Sequence, residues 1–332
     1  MENNMINIIE NAIKAKNFSN FKNEIELIKL FQTSINDNLQ LFNQTTQIDI
    51  SKNNGKVIDK EIINNIFNKY LNETPLINSK NDILMSNNNL LKSNIYTSKG
   101  VILVVFDGDF YTLIEMIILG LLTHNPMIFS YEGYNLGTNG LIITLIESVL
   151  EKQQYPNKMF QHVFNISLED LFKNFKSIDE TIIIGEHSLQ IKTLKECTTH
   201  NIVSGYKNYD LYIEDDKNID FIYKILEQNL NINLYINEEL SLDIDDYISV
   251  SDIEEAITMI NNNGSGYSAS IFTSNTDNAS LFIKNIESNN VLINTSPTII
   301  NELDITQKDL INEKTIVVPN LYEISDTIEI QN

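Results

Sequence analysis

The strongest nucleophile in this 332-residue sequence is one thiol, that of Cys197. A cysteine thiolate attacks carbonyl and acyl phosphate groups because sulfur is nucleophilic and ionises near neutral pH. His200 follows at a spacing typical of half a zinc site, but a structural site usually needs four ligands and only His187 is nearby. Free cysteines are most often small core residues. We therefore interpret Cys197 as a packed residue at a helix end, and we predict no catalytic residue and no metal site.

Two aspartates, Asp107 and Asp109, directly follow the apolar run 101–106. Carboxylates in a short turn could bind calcium, but the other loop ligands of a calcium site are absent from this part of the sequence. Aspartates are also common in turns, because their side chains bond to nearby backbone amides. We interpret this segment as an acidic turn that ends a strand.

Short apolar runs alternate with helical segments from residue 101 onward. This alternation predicts an α/β fold, in which helices cover both faces of a parallel sheet. The predicted strands are 101–106, 127–129, 160–164, 181–184, 202–203, 211–213, 232–236, 247–250, 270–273, 291–294 and 315–318. The predicted helices are 112–122, 141–150, 168–175, 189–197, 251–262 and 275–287.

The first hundred residues have a different pattern. Apolar residues recur at helical spacing over 5–46, which predicts helices there. Residues 47–97 predict short helices joined by polar connections, with apolar periods over 62–66 and 83–91. Farther along the chain, Ser251 and Glu254 have the spacing of a capping box and predict a helix start.

The charge balance argues against several partners. The sequence has 45 acidic residues against 23 lysines and arginines, and its net charge is −22. Nucleic acids and anionic membrane surfaces attract clustered basic side chains, so we predict neither partner. One cysteine cannot form an internal disulfide, and residues 1–20 lack the apolar core of a signal peptide. We therefore predict a cytoplasmic protein.

Four segments of the first half occur in a recognisable order. They are the apolar run 100–106, then 124–129, then Thr138-Asn139 at a helix start, then Tyr155-Pro156 before a strand. This order and spacing resemble the aldehyde dehydrogenase superfamily.

The second half resembles one branch of that superfamily, the γ-glutamyl phosphate reductases. Residues 264–268, Gly-Ser-Gly-Tyr-Ser, are similar to a GSGHS motif of that branch. Residues 291–296 are similar to its VYVNAS motif, and residues 310–318 are similar to its closing segment. The resemblance therefore extends over nearly the full chain.

The resemblance implies a two-lobed fold and a particular chemistry. N-terminal helices and a Rossmann-like lobe would span 1–225, a reduced catalytic-type lobe 226–305, and a tail returning to the first lobe 306–332. Enzymes of this branch bind NADPH, form a thioester on a cysteine and reduce it to an aldehyde. By resemblance, the cofactor positions are Ser130, Thr138, Asn139 and Gly185.

The sequence departs from the family at these chemical positions. Asp109 stands in place of an arginine, and Tyr111 stands in place of an amide suited to an oxyanion. Ser130 replaces a basic residue, and Glu132 lies where the family has small glycines, which would oppose a phosphate. The catalytic cysteine should follow 210–226 at a modest distance, and none does. We therefore expect no cofactor, or NADP if the family's site survives.

Three functions remain open at this point. The first is a non-catalytic relative with a binding, regulatory or structural role, as a homodimer or a hetero-oligomer with a related protein. The second is an NADPH-dependent glutamate-5-semialdehyde dehydrogenase of proline biosynthesis. The third is a metabolite-binding module that uses the cleft between the lobes, whose acidic lining would favour a cationic or neutral ligand. That lining would be Asp107, Asp109, Tyr111, Tyr131, Glu132, Glu186 and His187.

Overall fold

The structure is a computed structural model. It describes residues 2–18, 21–53, 58–78, 83–87, 90–131, 135–174, 176–185, 187–205, 209–226, 232–264, 266–297 and 305–319. The helices in chain order are α1 (Glu2–Lys16), α2 (Glu24–Asp37), α3 (Leu39–Asn53), α4 (Lys60–Leu71), α5 (Phe110–Leu122), α6 (Leu136–Lys152), α7 (Leu168–Asn174), α8 (His187–Glu196), α9 (Ile219–Leu226), α10 (Ile253–Asn263) and α11 (Thr276–Asn285). The strands are β1 (Ile83–Asn87), β2 (Leu90–Ser98), β3 (Ile102–Phe106), β4 (Met127–Tyr131), β5 (Phe160–Phe164), β6 (Glu180–Gly185), β7 (Asn201–Gly205), β8 (Tyr209–Ile213), β9 (Ile232–Asn237), β10 (Ile248–Val250), β11 (Ser268–Phe272), β12 (Asn290–Ile293) and β13 (Ile311–Pro319).

The chain divides into two compact units. The first unit contains Met1–Ile184, Ile191–Val203 and Leu303–Asn332, and the second contains Gly185–Gln190 and Ser204–Glu302. The boundary near residue 204 differs from the expected boundary at 225. The reason is strand pairing, because β8 pairs with β9 and β11 and so belongs to the sheet of the second unit.

The first unit is built on a five-stranded sheet with the order β5-β4-β3-β6-β7. Strands β5, β4, β3 and β6 run parallel. Every residue of β3 is buried, as expected for a central strand of a parallel sheet that is covered on both faces. The apolar run that predicted this strand therefore lies at the centre of the core.

Helix α5 follows β3 and is the most apolar helix of the first unit. All of its residues except Tyr111 are buried, so the apolar stretch predicted as a buried helix is packed on nearly every side. Its one acidic residue, Glu115, lies 3.7 Å from the Lys69 ammonium group and 3.4 Å from the Tyr70 hydroxyl. These partners offset the cost of burying a carboxylate.

Helices α1 to α4 precede the sheet, as the periodicity of residues 5–46 predicted for the first three. Helix α2 buries Leu27, Ile28, Phe31 and Ile35 at helical spacing. The Phe31 ring meets Phe67 of α4 edge to face at 5.5 Å. The N-terminal helices are therefore part of the core of the first unit.

The segment 83–98 differs from its predicted pattern of short helices. It forms β1 and β2, which pair antiparallel, and β13 completes a three-stranded sheet on the other side of β2. The β2–β13 pairing runs from Ser98 opposite Ile311 to Leu90 opposite Pro319. The partner strand lies more than two hundred residues away, so local periodicity carried no signal for this pairing.

The second unit contains a five-stranded parallel sheet with the order β10-β9-β8-β11-β12. Apolar clusters lie on both of its faces, one around Tyr212 and Phe282 and the other around Leu211 and Phe272. Helix α10 begins at Ile253, two residues later than predicted, because its N-cap is Asp252 and not Ser251. Asp252 accepts the capping bond from the Glu255 amide. The α/β fold with parallel sheets that the sequence predicted is therefore confirmed.

Within the described residues, no helix is both long and apolar enough to cross a membrane.

Two glycines of the first unit provide a matched test of this packing. Gly100 has φ +120°, and a Cβ atom there would lie 2.2 Å from Asp179 Oδ2, which accepts the Val101 amide proton. Gly140 lies in α6, where a Cβ atom would have only an ordinary contact at 3.7 Å with His162. We expect Gly100→Ala to lower the free energy of unfolding by about 2 kcal/mol or more. Gly140→Ala should raise it by about 0.5–1 kcal/mol, as measured by urea denaturation. Equal effects of the two substitutions would contradict the packing described.

Candidate functional site

The carboxyl edge of the first unit's sheet contains most of the predicted site residues. The chain runs from β3 to β4 and β5 on one side and returns to β6 on the other. Ligands of such sheets usually bind where the strand order reverses, beyond the carboxyl ends of the strands. Asp107 and Asp109 follow β3, Tyr131 ends β4 and Gly185 ends β6.

The two aspartates after β3 stabilise the turn in which they lie through hydrogen bonds to its backbone. Asp109 Oδ2 caps α5 and accepts hydrogen bonds from the Thr112 amide at 3.0 Å and the Thr112 hydroxyl at 3.1 Å. Asp107 Oδ1 accepts a bond from the Asp109 amide at 3.1 Å. These contacts agree with the prediction of an acidic turn. Among the described residues, no group of three or more histidine, cysteine or acidic side chains could hold a metal ion.

Tyr111 takes part in the packing of α5 against the start of α4. Its hydroxyl oxygen accepts a hydrogen bond from the Asp59 amide at 2.8 Å, and Asp59 is the N-cap of α4. Burial of the ring raises the pKa of Tyr111 to about 12, and the Asp109 carboxylate adds to this effect although the amide bond opposes it. The phenol therefore stays protonated and joins two helices.

A carboxylate from another helix occupies the first turn of α6. Asp49 of α3 accepts hydrogen bonds from the Gly137 amide at 3.2 Å, the Thr138 amide at 2.9 Å and the Thr138 hydroxyl at 2.7 Å. Asp49 and Thr138 are both buried. Helix N-termini attract anions because their first amides lack acceptors within the helix. Here the protein supplies the anion itself.

Two asparagines connect α6 to the turn after β3 by hydrogen bonds. The side-chain amides of Asn135 and Asn139 both donate to the Gly108 carbonyl oxygen, at 3.3 and 2.9 Å. Both asparagines are buried. The side-chain nitrogen of Asn139, a predicted cofactor residue, is therefore engaged within the protein.

Tyr131 at the end of β4 and His162 in the middle of β5 form a pair. The Tyr131 hydroxyl lies 2.8 Å from His162 Nδ1. Burial raises the pKa of Tyr131, while burial and the nearby Lys158 ammonium group lower the pKa of His162. A neutral imidazole can accept a proton at Nδ1, so the phenol donates to the ring. Ser130, the residue before Tyr131, is itself buried.

Side chains of α8 pack against Gly185 at the end of β6. Gly185 has φ +152°, and the Leu189 side chain lies 2.8 Å from the position of a Cβ atom on this glycine. The Gln190 side chain donates to the Gly185 carbonyl at 2.8 Å. Of the other predicted cleft residues, Glu132 and Glu186 lie outside the described residues, and for His187 only its place at the start of α8 is described.

The donor set at this edge does not fit the phosphates of a dinucleotide. The first amides of α6 donate to Asp49, and the Asn139 side-chain amide donates to the Gly108 carbonyl oxygen. A phosphate at α6 would have to displace a buried carboxylate of the same sign. We therefore derive no hydride-transfer step at this edge.

Cys197 lies immediately after α8, within the first unit. It is partly buried, and its sulfur lies 3.5 Å from the Thr199 hydroxyl and 3.6 Å from the Thr199 carbonyl oxygen. This placement matches the predicted packed residue at a helix end.

The second unit has a polar cluster at the carboxyl edge of its own sheet, which sequence reasoning missed. Glu214 after β8 accepts hydrogen bonds from the Thr273 hydroxyl and the Asn278 amide. Asp215 accepts one from the Ser274 amide at 2.5 Å. Threonine, serine and asparagine in turns are too common to mark such a cluster in advance.

Comparison with known proteins identifies the class of this fold. The model of the aldehyde dehydrogenase family matches residues 232–304, which is a minority of the chain. No curated protein matches the sequence. The match lies almost wholly within the second unit and includes no cysteine.

Solved structures extend this likeness to nearly the whole chain. Gamma-glutamyl phosphate reductase from Thermotoga maritima is similar with a TM-score of 0.67 and 15% identity, over 95% of this chain and 98% of that one. The Saccharomyces cerevisiae enzyme of the same name gives a TM-score of 0.55 and 16% identity, over 97% and 99% of the two chains. Glyceraldehyde-3-phosphate dehydrogenase GapN from Methanocaldococcus jannaschii, in complex with NADP, gives 0.75 and 12%, over 96% and 94%. The aldehyde dehydrogenase fold and the expected resemblance to that superfamily, including its gamma-glutamyl phosphate reductases, are thereby confirmed.

The Tyr131–His162 pair leads to a prediction about pH. Because the pKa of His162 is lowered in the folded protein, the unfolded chain binds a proton at this residue first as the pH falls. We expect this residue's contribution to stability to be present above about pH 6.5 and to be lost as the pH falls through the lowered folded pKa. His162→Gln should remove this part of the pH dependence in urea denaturation. An imidazole resonance of His162 that titrates above the ordinary value in an NMR experiment would contradict the geometry.

Proposed function

We propose that this protein is a non-catalytic relative of the aldehyde dehydrogenases with a binding, regulatory or structural role. It has their fold at identities between 12% and 16% to the structures compared. At such identities the fold persists while the site residues can change, so function must be argued from the site itself.

The observation that carries this proposal is the position of the one thiol. The family resemblance implies a nucleophilic cysteine after residues 210–226, and the only cysteine of the sequence is Cys197. It lies in the first unit, where its sulfur contacts Thr199. Hydroxyl and carboxylate groups do not replace a thiolate readily in forming an acyl intermediate.

The cofactor positions support the same proposal. Asp49 occupies the first turn of α6, and Asn139 donates to the backbone of the turn after β3. Each contact satisfies a buried polar group from within the protein. The missing thiol and the hydrogen bonds that engage the cofactor positions within the protein are independent observations. Both favour a protein that does not carry out the family's reaction.

A second candidate is a metabolite-binding module at the same edge. The observation that favours it is the acidic character of this edge. Asp107 and Asp109 follow β3, Asp49 lies at the start of α6, and by resemblance Ser130 stands in place of a basic residue. A neutral or cationic ligand would suit such surroundings better than NADPH. Assembly into a homodimer, or with a related protein, is compatible with either role.

An activity assay tests the proposal. We expect no formation of NADPH from NADP⁺ when the protein is incubated with glutamate-5-semialdehyde and phosphate. The Cys197→Ala variant should give the same result and should unfold at a similar urea concentration, because the sulfur is partly exposed and its hydrogen bonds are to nearby Thr199.

The Thermotoga maritima gamma-glutamyl phosphate reductase, assayed in parallel, is the positive control. Turnover that disappears in Cys197→Ala would assign catalysis to this thiol and overturn the proposal. Turnover that persists in the variant would indicate an active enzyme that does not use a thioester, which would overturn it equally.

A further inference from the structure

The first unit contains a cavity that none of the predicted cofactor or cleft residues lines. It lies between the start of α2 and the end of α6 and has a volume of about 320 Å³. Ligand sites for small molecules begin at about this size. The lining residues are Phe18, Lys22, Asn23, Glu26, Leu27, Leu30, Gln153, Gln154 and Tyr155.

One wall of the cavity is formed by aromatic rings that contact one another. The Phe18 ring lies 5.5 Å from Tyr155 and 5.2 Å from Phe21, which in turn stacks on His124 at 4.1 Å. The Tyr155 hydroxyl oxygen accepts a hydrogen bond from the Lys22 amide at 2.8 Å. This bond fixes the tyrosine ring against the segment that leads into α2. Such a wall suits an apolar or aromatic group.

Two helix termini of opposite polarity meet at the cavity. Helix α2 begins at Glu24, and its N-cap, Asn23, makes no side-chain capping bond. Helix α6 ends at Lys152 and is followed by Gln153 and Gln154, which line the cavity. A helix carries a partial positive charge at its start and a partial negative charge at its end. The cavity is therefore polarised from one side to the other.

Two side chains of opposite charge line the cavity on the side of α2. Lys22 precedes α2, and Glu26 is in its first turn. Within the part of the chain that the structure describes, neither side chain forms an ion pair, so both are available to a ligand. Asn23 and Gln154 have φ of 60° and 62°, a conformation that non-glycine residues adopt infrequently and that is often found at ligand sites.

We propose that this cavity binds a free amino acid with an apolar or aromatic side chain. Its carboxylate would face Lys22 and the start of α2, and its ammonium group would face Glu26 and the end of α6. Its side chain would pack on Phe18 and Tyr155. A second pocket of about 270 Å³ shares the lining residues Leu30 and Gln153 with the cavity and is also lined by Val149. This adjoining pocket could accommodate a longer side chain of the ligand.

This site is separate from the carboxyl edge of the sheet. None of its lining residues is among the predicted cofactor or cleft residues. The proposal therefore does not depend on whether the protein is catalytic, and the two can fail independently.

A tryptophan reporter tests the proposal, because the natural sequence has no tryptophan. Phe18→Trp places one in the aromatic wall, and Phe221→Trp places one in the second unit as the matched control. We expect L-phenylalanine to cause a saturable fluorescence change in the Phe18→Trp protein only. 3-Phenylpropionate and phenethylamine each lack one charge of the zwitterion and should bind at least tenfold more weakly.

Charge variants on the reporter background assign the contacts. Lys22→Gln and Glu26→Gln should each raise the dissociation constant for L-phenylalanine about tenfold or more, while Lys29→Gln, an exposed change on the same helix, should leave it unchanged. L-leucine provides a second probe with an aliphatic side chain. Absence of binding by both amino acids at millimolar concentration would overturn the proposal. Equal binding of 3-phenylpropionate, or an equal effect of Lys29→Gln, would also overturn it.

Discussion

The organisation of the first unit's sheet edge depends on one buried carboxylate. Asp49 reaches from α3 to the first turn of α6 and satisfies two amides and a hydroxyl there. Buried backbone donors need acceptors, and in a nucleotide-binding protein a phosphate often supplies them at such a helix start. With Asp49 in place, α6 is anchored at its start, and Asn139 can join it to the turn after β3. Asp49 thus occupies the position at the start of α6 where a bound phosphate would be expected in a nucleotide-binding protein.

The parts of this arrangement that could be predicted are the ones with a local signal. The run 101–106 predicted β3 because a central parallel strand is apolar throughout. Strands β1 and β2 were missed because their pairing with β13 is distant in sequence and their residues are mixed in polarity. Asp49 could not be predicted as a capping residue, since nothing in its helix indicates a partner 89 residues away. The order of short motifs was more informative than any single residue.

This chain has the fold of the aldehyde dehydrogenases, and we propose that it lacks their chemistry. Both parallel sheets and the three-stranded sheet are present, and the likeness covers nearly the full length of the compared reductase structures. At two positions where the resemblance implies groups of the family's site, Asp109 caps α5 and Tyr111 accepts a hydrogen bond from the start of α4. Stability of the fold requires only that buried groups be satisfied, so it places no demand on the thiol or on the phosphate site.

The central claim is that the polar groups at the family's cofactor positions are hydrogen-bonded within the protein and are therefore not available to a cofactor. Calorimetric titration with NADPH tests this claim most directly. We expect no heat of binding at millimolar NADPH or NADP⁺, because the donors of Thr138 and Asn139 are already bonded to Asp49 and to the Gly108 carbonyl oxygen. Binding at micromolar concentration would contradict it. Such a result would mean that the phosphate site lies elsewhere on the fold or that Asp49 is displaced by the cofactor.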